Sequence, residues 1–147
     1  MKIDDFVNEF KVQTDKAMYC KKHIVKKYMP YKDKVIKCSH IARISMSKVD
    51  EEGNVVGFLQ NTPSRFLAFT MTLVRDYTDI EIDSDDLAGE YDKLDEVGAL
   101  EYINAAIPRN ETNEFNTILA MTVDDYIMNY RSVVAYLDKM PDLIKGK

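Results

Sequence analysis

The sequence predicts a mainly α-helical single domain over residues 1–147, a bundle of roughly five to seven helices with one small β-hairpin near residues 44–59. Apolar residues recur at three- and four-residue spacing along most of the chain, the period of a helix with one buried face. There are only 5 Gly and 4 Pro, and Pro30, Pro63, Pro108 and Pro141 all fall where a helix starts or stops. Alternation of apolar and polar residues flanks a single turn, Asp50-Glu51-Glu52-Gly53. A composition 46% hydrophobic and 31% charged belongs to a chain that folds. A chain of this length buries roughly two thirds of its unfolded surface around one core.

In order, Ile3, Phe6, Val7 and Phe10 define a first amphipathic helix, with Asp4 and Asp5 at its positive end. A second helix from Thr14 gives way to an extended piece before Tyr28-Met29-Pro30. Pro30 opens a third helix whose expected inward stripe is Val35, Ile36, Ser39, Ile41 and Ala42, leaving Lys32, Lys34 and Lys37 on the wet side. Ile44 to Val49 and Asn54 to Leu59 read as the hairpin strands. Thr62-Pro63 caps and starts a helix reaching Tyr77, apolar on more than one side and so central to the core. Ser84 or Asp83 caps a helix from Asp85 to Val97, and Gly98 separates it from a short helix ending at Ile107-Pro108. The longest helix starts near Asn110 and carries Phe115, Ile118, Leu119, Val123, Ile127, Val133, Val134 and Leu137 up to Pro141. Residues 141–147 are expected to be a frayed tail or attachment segment.

Charge is polarised along the chain. From Lys16 to Lys48 ten basic residues face one acid, Asp33, whereas from Asp76 to Asp125 only Lys93 and Arg109 face fifteen acids. A net charge of -5 makes nucleic acid an unfavoured general partner. The N-terminus lacks a basic stretch followed by an apolar run, and no apolar stretch approaches the ~18 residues of a membrane span, so neither secretion nor a membrane is expected. Cys20 and Cys38, with no wider framework, read as reduced thiols of an intracellular protein.

Few constellations could carry chemistry. Cys20-x-x-His23 and Cys38-x-His40 supply four soft ligands, but neither pair has a zinc-finger spacing, so ordinary core or surface positions are expected and no metal or cofactor. Asp79, Glu81, Asp83, Asp85 and Glu90 follow the spacing of a calcium loop, yet Ser84 stands where the sharp turn needs glycine. Asp124 and Asp125, adjacent on a helix, point about 100° apart and cannot flank one substrate atom. With no phosphate loop, nucleophile elbow or triad spacing, no enzyme is expected. Candidate binding residues are Lys21, Lys22, Lys26, Lys27, Lys34 and Lys37 on a basic face that includes Tyr19, Tyr28 and Tyr31, and the polar set Asp124, Asp125, Asn129 and Arg131 beside the last helix's apolar stripe.

The stretches Val25-Lys-Lys-Tyr-Met-Pro-Tyr-Lys-Asp-Lys34, Asn61-Thr-Pro-Ser-Arg65 with Tyr77-Thr-Asp-Ile80, and Phe115-Asn-Thr-Ile-Leu-Ala-Met-Thr-Val-Asp-Asp125 with Asn129-Tyr-Arg-Ser-Val-Val134 resemble small helical proteins of bacteriophages of Gram-positive bacteria. The resemblance implies a virion-assembly role of the tail-assembly-chaperone or head–tail type. It also implies other phage structural proteins as partners, and the host cytoplasm or the virion as location. Self-association through the opposite charge blocks fits the same role. The alternative is a regulatory or host-interfering protein that binds a host protein or nucleic acid through its lysine-rich N-terminal face.

Overall fold

The computed structural model describes the backbone of residues 1–144 and the side chains of residues 1–130. Within them are seven helices and one two-stranded antiparallel sheet: α1 (Ile3–Lys11), α2 (Lys16–Lys22), α3 (Tyr31–Met46), β1 (Ser47–Val49), β2 (Val55–Phe58), α4 (Thr62–Tyr77), α5 (Leu87–Glu96), α6 (Ala99–Ala106) and α7 (Arg109–Ile144). The mainly helical class with one hairpin is as the periodicity predicts. None of the described helices is long and apolar enough to cross a membrane.

The four apolar residues of α1 are all buried; the helix packs on α5, and its Phe6 and Phe10 rings meet Tyr19 of α2. Asp15 caps α2 by accepting from the Met18 N–H, and α2 lies against α6. An extended segment follows, in which Ile24 bridges to Thr78. α4 is central as expected, packing against α3, α5 and α6, with Met71, Leu73, Val74 and Tyr77 buried. Its Phe66 nonetheless stands 58% exposed at one end. α7 lies along α3 and closes the bundle with Phe115, Ile118, Leu119 and Val123.

Several boundaries differ from the sequence reading. Asn61 rather than Thr62 caps α4, accepting from the Ser64 N–H, because the free turn starts one residue earlier. Asp86 rather than Asp83 or Ser84 caps α5, accepting from Gly89, since Asp83 is occupied in a turn that accepts from the Asp85 N–H. Ile44, Ser45 and Met46 belong to α3, not to the hairpin: Ser45 and Met46 bury on the helix's inner side, which shortens the first strand. α7 continues past Pro141 to Ile144. Proline's fixed φ is helical, so the chain passes it at the loss of one backbone bond. The expected apolar residues Val133, Val134 and Leu137 lie outside the described side chains, as does residue 145 onward in the tail.

The largest revision concerns α3. Its buried stripe is Lys34, Cys38, Ile41, Ala42, Ser45 and Met46, while Ile36 is 57% exposed and Ser39 faces solvent. The helix is therefore rotated from the expected setting, and a lysine points into the core.

Candidate functional site

Lys34 is fully buried, contrary to its expected place on the wet face. Its Nζ lies 2.9 Å from Glu111 Oε2 and 3.3 Å from Glu114 Oε1. The same Glu111 oxygen accepts from the Tyr77 hydroxyl at 2.7 Å and from the Met29 N–H at 2.9 Å. A buried charge this well paired avoids the large desolvation penalty that rules out a lone ion. Burial disfavours the Lys34 cation, but the hydrogen bonds and charges of Glu111 and Glu114 outweigh it and hold its pKa above the ordinary value. Burial likewise works against the Glu111 carboxylate, and its donors Tyr77, Lys34 and Met29 prevail, setting its pKa below the usual range. Desolvation and the adjacent Glu111 raise that of Tyr77. With its donors and acceptors mutually engaged, the cluster is a structural node that joins α3, α4, α7 and the segment after α2.

That segment carries the exposed surface. Residues 24–30 form an irregular connection that follows the cap of α2 at His23 and is held at several points: the N–H groups of Val25 and Lys26 donate to the Tyr77 carbonyl, the Asp79 N–H donates to the His23 carbonyl, and Met29 is fully buried with its N–H on Glu111. Along this segment and the helix ends that flank it, Lys21, Lys22, Lys26, Lys27 and Lys32 are exposed and form no ion pair among the described residues. Val25, Tyr28 and Tyr31 stand out beside them at 64%, 65% and 64% exposure. Lys37 does not join this face: it is half-buried and pairs with Asp76 at 2.8 Å. Tyr19 is also removed from it, being buried with its hydroxyl donating to Glu9 at 2.8 Å.

The other expected groupings separate. Asp124, Asp125 and Asn129 are exposed on the outer side of α7, with no hydrogen bond or ion pair joining them to the lysine face among the described residues; the Arg131 side chain lies outside those described. Cys20 and Cys38 are both buried, and Cys38 donates to the Phe115 carbonyl. His23 pairs with Asp79 at 2.8 Å, while His40 faces solvent. Among the described residues no three His, Cys, Asp or Glu side chains are placed to hold one metal ion. In the calcium-like run Asp79 is drawn to His23 and Glu90 to Lys93, so the carboxylates are spread over different contacts.

Glu111 is the residue that sequence reasoning missed. It lies four before Phe115 and seven before Ile118, on the stripe that buries, and that spacing was the available signal. No protein-family model, no curated protein and no solved structure matches the chain.

Proposed function

We propose that the protein is a non-enzymatic assembly factor that docks on an acidic protein surface through its lysine–tyrosine face at residues 21–32. The observation that carries this reading is the set of five exposed lysines without an ion pair among the described residues, with Val25, Tyr28 and Tyr31 among them, on a backbone pinned from below by Met29. Lysines speed encounter and fix orientation, whereas exposed tyrosines bury large area at low conformational cost and dominate binding energy. Pre-anchoring the segment lowers the ordering cost of docking.

The acidic surface belongs to another virion or tail protein, or to a second copy. Asp92, Asp95 and Glu96 of α5 and Glu101 of α6 are exposed, so the chain itself offers a suitable counterpart. The phage virion-assembly role rests on the sequence resemblance. Light scattering after size-exclusion chromatography tests self-association: an oligomer that dissociates as salt rises, and that Lys26→Glu with Lys27→Glu abolishes, is expected. A monomer at both salts removes self-association and leaves an external partner.

The second reading, a regulatory or host-interfering protein that contacts nucleic acid through the same face, is favoured by the exposure of Tyr28 and Tyr31 between lysines, where bases could stack. Titration of a fluorescent single-stranded oligonucleotide separates the two. Binding whose affinity falls linearly on a logarithmic salt scale supports this reading.

A further inference from the structure

The end of α4 away from the lysine–tyrosine face carries a second patch. Phe66, 58% exposed in the second turn of α4, meets Tyr91 of α5 edge to face with ring centroids 5.9 Å apart. Beside Tyr91, the exposed residues Ala88, Asp92 and Asp95 follow one another at spacings of four and three and so share one outer side of α5. Asp92, Asp95, Glu96 and, past Gly98, Glu101 are exposed and form no ion pair among the described residues. Lys93 is the one base of α5, and its ammonium is already engaged by Asp4 and Glu90 at 3.0 Å each.

This patch complements the lysine–tyrosine face in charge and in residue type. Residues 21–33 hold five exposed lysines against one acid, Asp33, with Tyr28 and Tyr31 between them, whereas α5 and the first turn of α6 hold carboxylates with Phe66 and Tyr91 at their side. The two do not close on each other within one chain. Val25 and Lys26 donate to the Tyr77 carbonyl at the C-terminal end of α4, and Phe66 stands eleven residues earlier, about 16 Å back along the helix axis.

Resting on the reading that the lysine–tyrosine face is a docking surface, we infer that its occupant is the acidic side of α5, with the Phe66–Tyr91 pair, of a second copy. Ammonium groups meet carboxylates around the contact and fix its orientation, while the tyrosine rings cover Phe66 and hold it. Phe66 thereby leaves water, a favourable contribution that a purely ionic pairing lacks. A second copy is the partner that the page supports, because this one chain presents opposite charge and exposed aromatic area at two separate places.

Charge exchange tests the pairing. Light scattering at low salt across a concentration range is expected to show self-association of the wild-type chain. Lys26→Glu with Lys27→Glu, and separately Asp92→Lys with Asp95→Lys, are each expected to bring the mass down to that of a monomer. An equimolar mixture of these two variants sets an intact lysine face against an intact acidic side, and is expected to associate where neither does alone. Phe66→Ser is expected to weaken self-association at least about tenfold with no change of charge, and it replaces the α5 variant should that one not fold. A lysine variant that dissociates the oligomer, beside a folded α5 variant and a Phe66→Ser that leave it intact, overturns this inference and keeps the lysine–tyrosine face as the docking surface. A mixture that stays monomeric overturns it in the same way. If the lysine variant itself leaves the oligomer intact, self-association through that face falls together with the inference. A wild-type chain that is monomeric at every concentration also overturns it, and the lysine–tyrosine face then has only an external acidic protein to meet.

Discussion

Lys34 Nζ lies 2.9 Å from Glu111 Oε2 with neither side chain reaching solvent, and this contact ties the first turn of α3 to the first turn of α7. Glu111 gains from the positive end of its helix dipole, while Lys34 sits at the positive end of its own, where a cation is disfavoured. The lysine's charge therefore depends on its carboxylate partners. Removing one member leaves the other buried with weaker support, Lys34 with only the half-exposed Glu114 as a carboxylate partner among the described residues or Glu111 with only the neutral donors Tyr77 and Met29, so Lys34→Met or Glu111→Leu should each cost about 3–5 kcal/mol. The double variant should lose clearly less than the sum, because no uncompensated charge remains. Urea unfolding of the four chains measures this, and additive losses would refute the coupling.

The same pair sets a pH dependence with a definite sign. The folded-state pKa of Glu111 is below its ordinary value, so its stabilisation is present above about pH 4.3 and is lost as pH falls through the folded value. That of Lys34 is raised, so its contribution is complete below about pH 10.4 and is lost as pH rises through the folded value. Stability measured by denaturant at a series of pH values should fall on the acid side, and Glu111→Gln should flatten that limb. An unchanged acid limb in the variant would show that other carboxylates govern it.

Both thiols are held in their unreactive form. Burial pushes Cys20 up to about 11 and Cys38 up to about 12, and both are shielded from solvent. Because the thiolate is the reactive species, neither should be alkylated in the native protein near neutral pH, and both should react once urea unfolds the chain. Rapid native labelling of either residue, read by mass spectrometry, would contradict the packing.

Gly98 separates α5 from α6 in the left-handed region, at φ 74°, and a Cβ placed there would meet nothing within 4 Å. Its substitution by alanine therefore tests backbone strain alone, and should destabilise by about 1–2 kcal/mol. Alanine at Gly89 fails differently: the added Cβ collides with the Asp86 carboxylate that caps α5, so the loss should resemble that of a cap, roughly 0.5–2 kcal/mol. Thermal melts would show Gly98→Ala and Asp86→Ala adding their losses, whereas Gly89→Ala combined with Asp86→Ala should cost little more than either.

Periodicity made the helices legible because each buries a repeating apolar stripe: Ile3, Phe6, Val7 and Phe10 in α1 needed no tertiary information. It failed at α3 because periodicity counts a lysine as outward. The chain's Ile36 and Ser39 fitted an equally regular stripe, and only the approach of Glu111, far away in sequence, makes the rotated setting favourable. Cap positions slipped by one to three residues for a similar reason. Asn61, Thr62, Asp83, Ser84 and Asp86 are all competent acceptors, and the one chosen depends on which is free after the turn has formed. The lysine face was half legible. The basic run was plain, but which lysines remain free turned on ion pairs with Asp76 and Glu111 contributed by other helices.

Met29 and Tyr28 are neighbours with opposite surroundings, and they separate anchoring from recognition. Met29 is fully buried and its N–H rests on Glu111, whereas Tyr28 is 65% exposed, with the Lys34 ammonium 5.4 Å from its ring centroid. Met29→Ala leaves a cavity beneath the segment and should cost about 2–5 kcal/mol of stability. Tyr28→Ala removes little packing and should stay within about 0.5–1 kcal/mol, allowing for the cation–π contact. Binding to an acidic partner should show the reverse order once both variants are measured at a temperature where they are folded. Tyr28→Ala should weaken it at least about tenfold if the ring is a hot spot, through faster dissociation. Lys26→Gln and Lys27→Gln should instead slow association and reduce its salt dependence. If Tyr28→Ala leaves the dissociation rate unchanged, the lysine–tyrosine face is not where the partner sits.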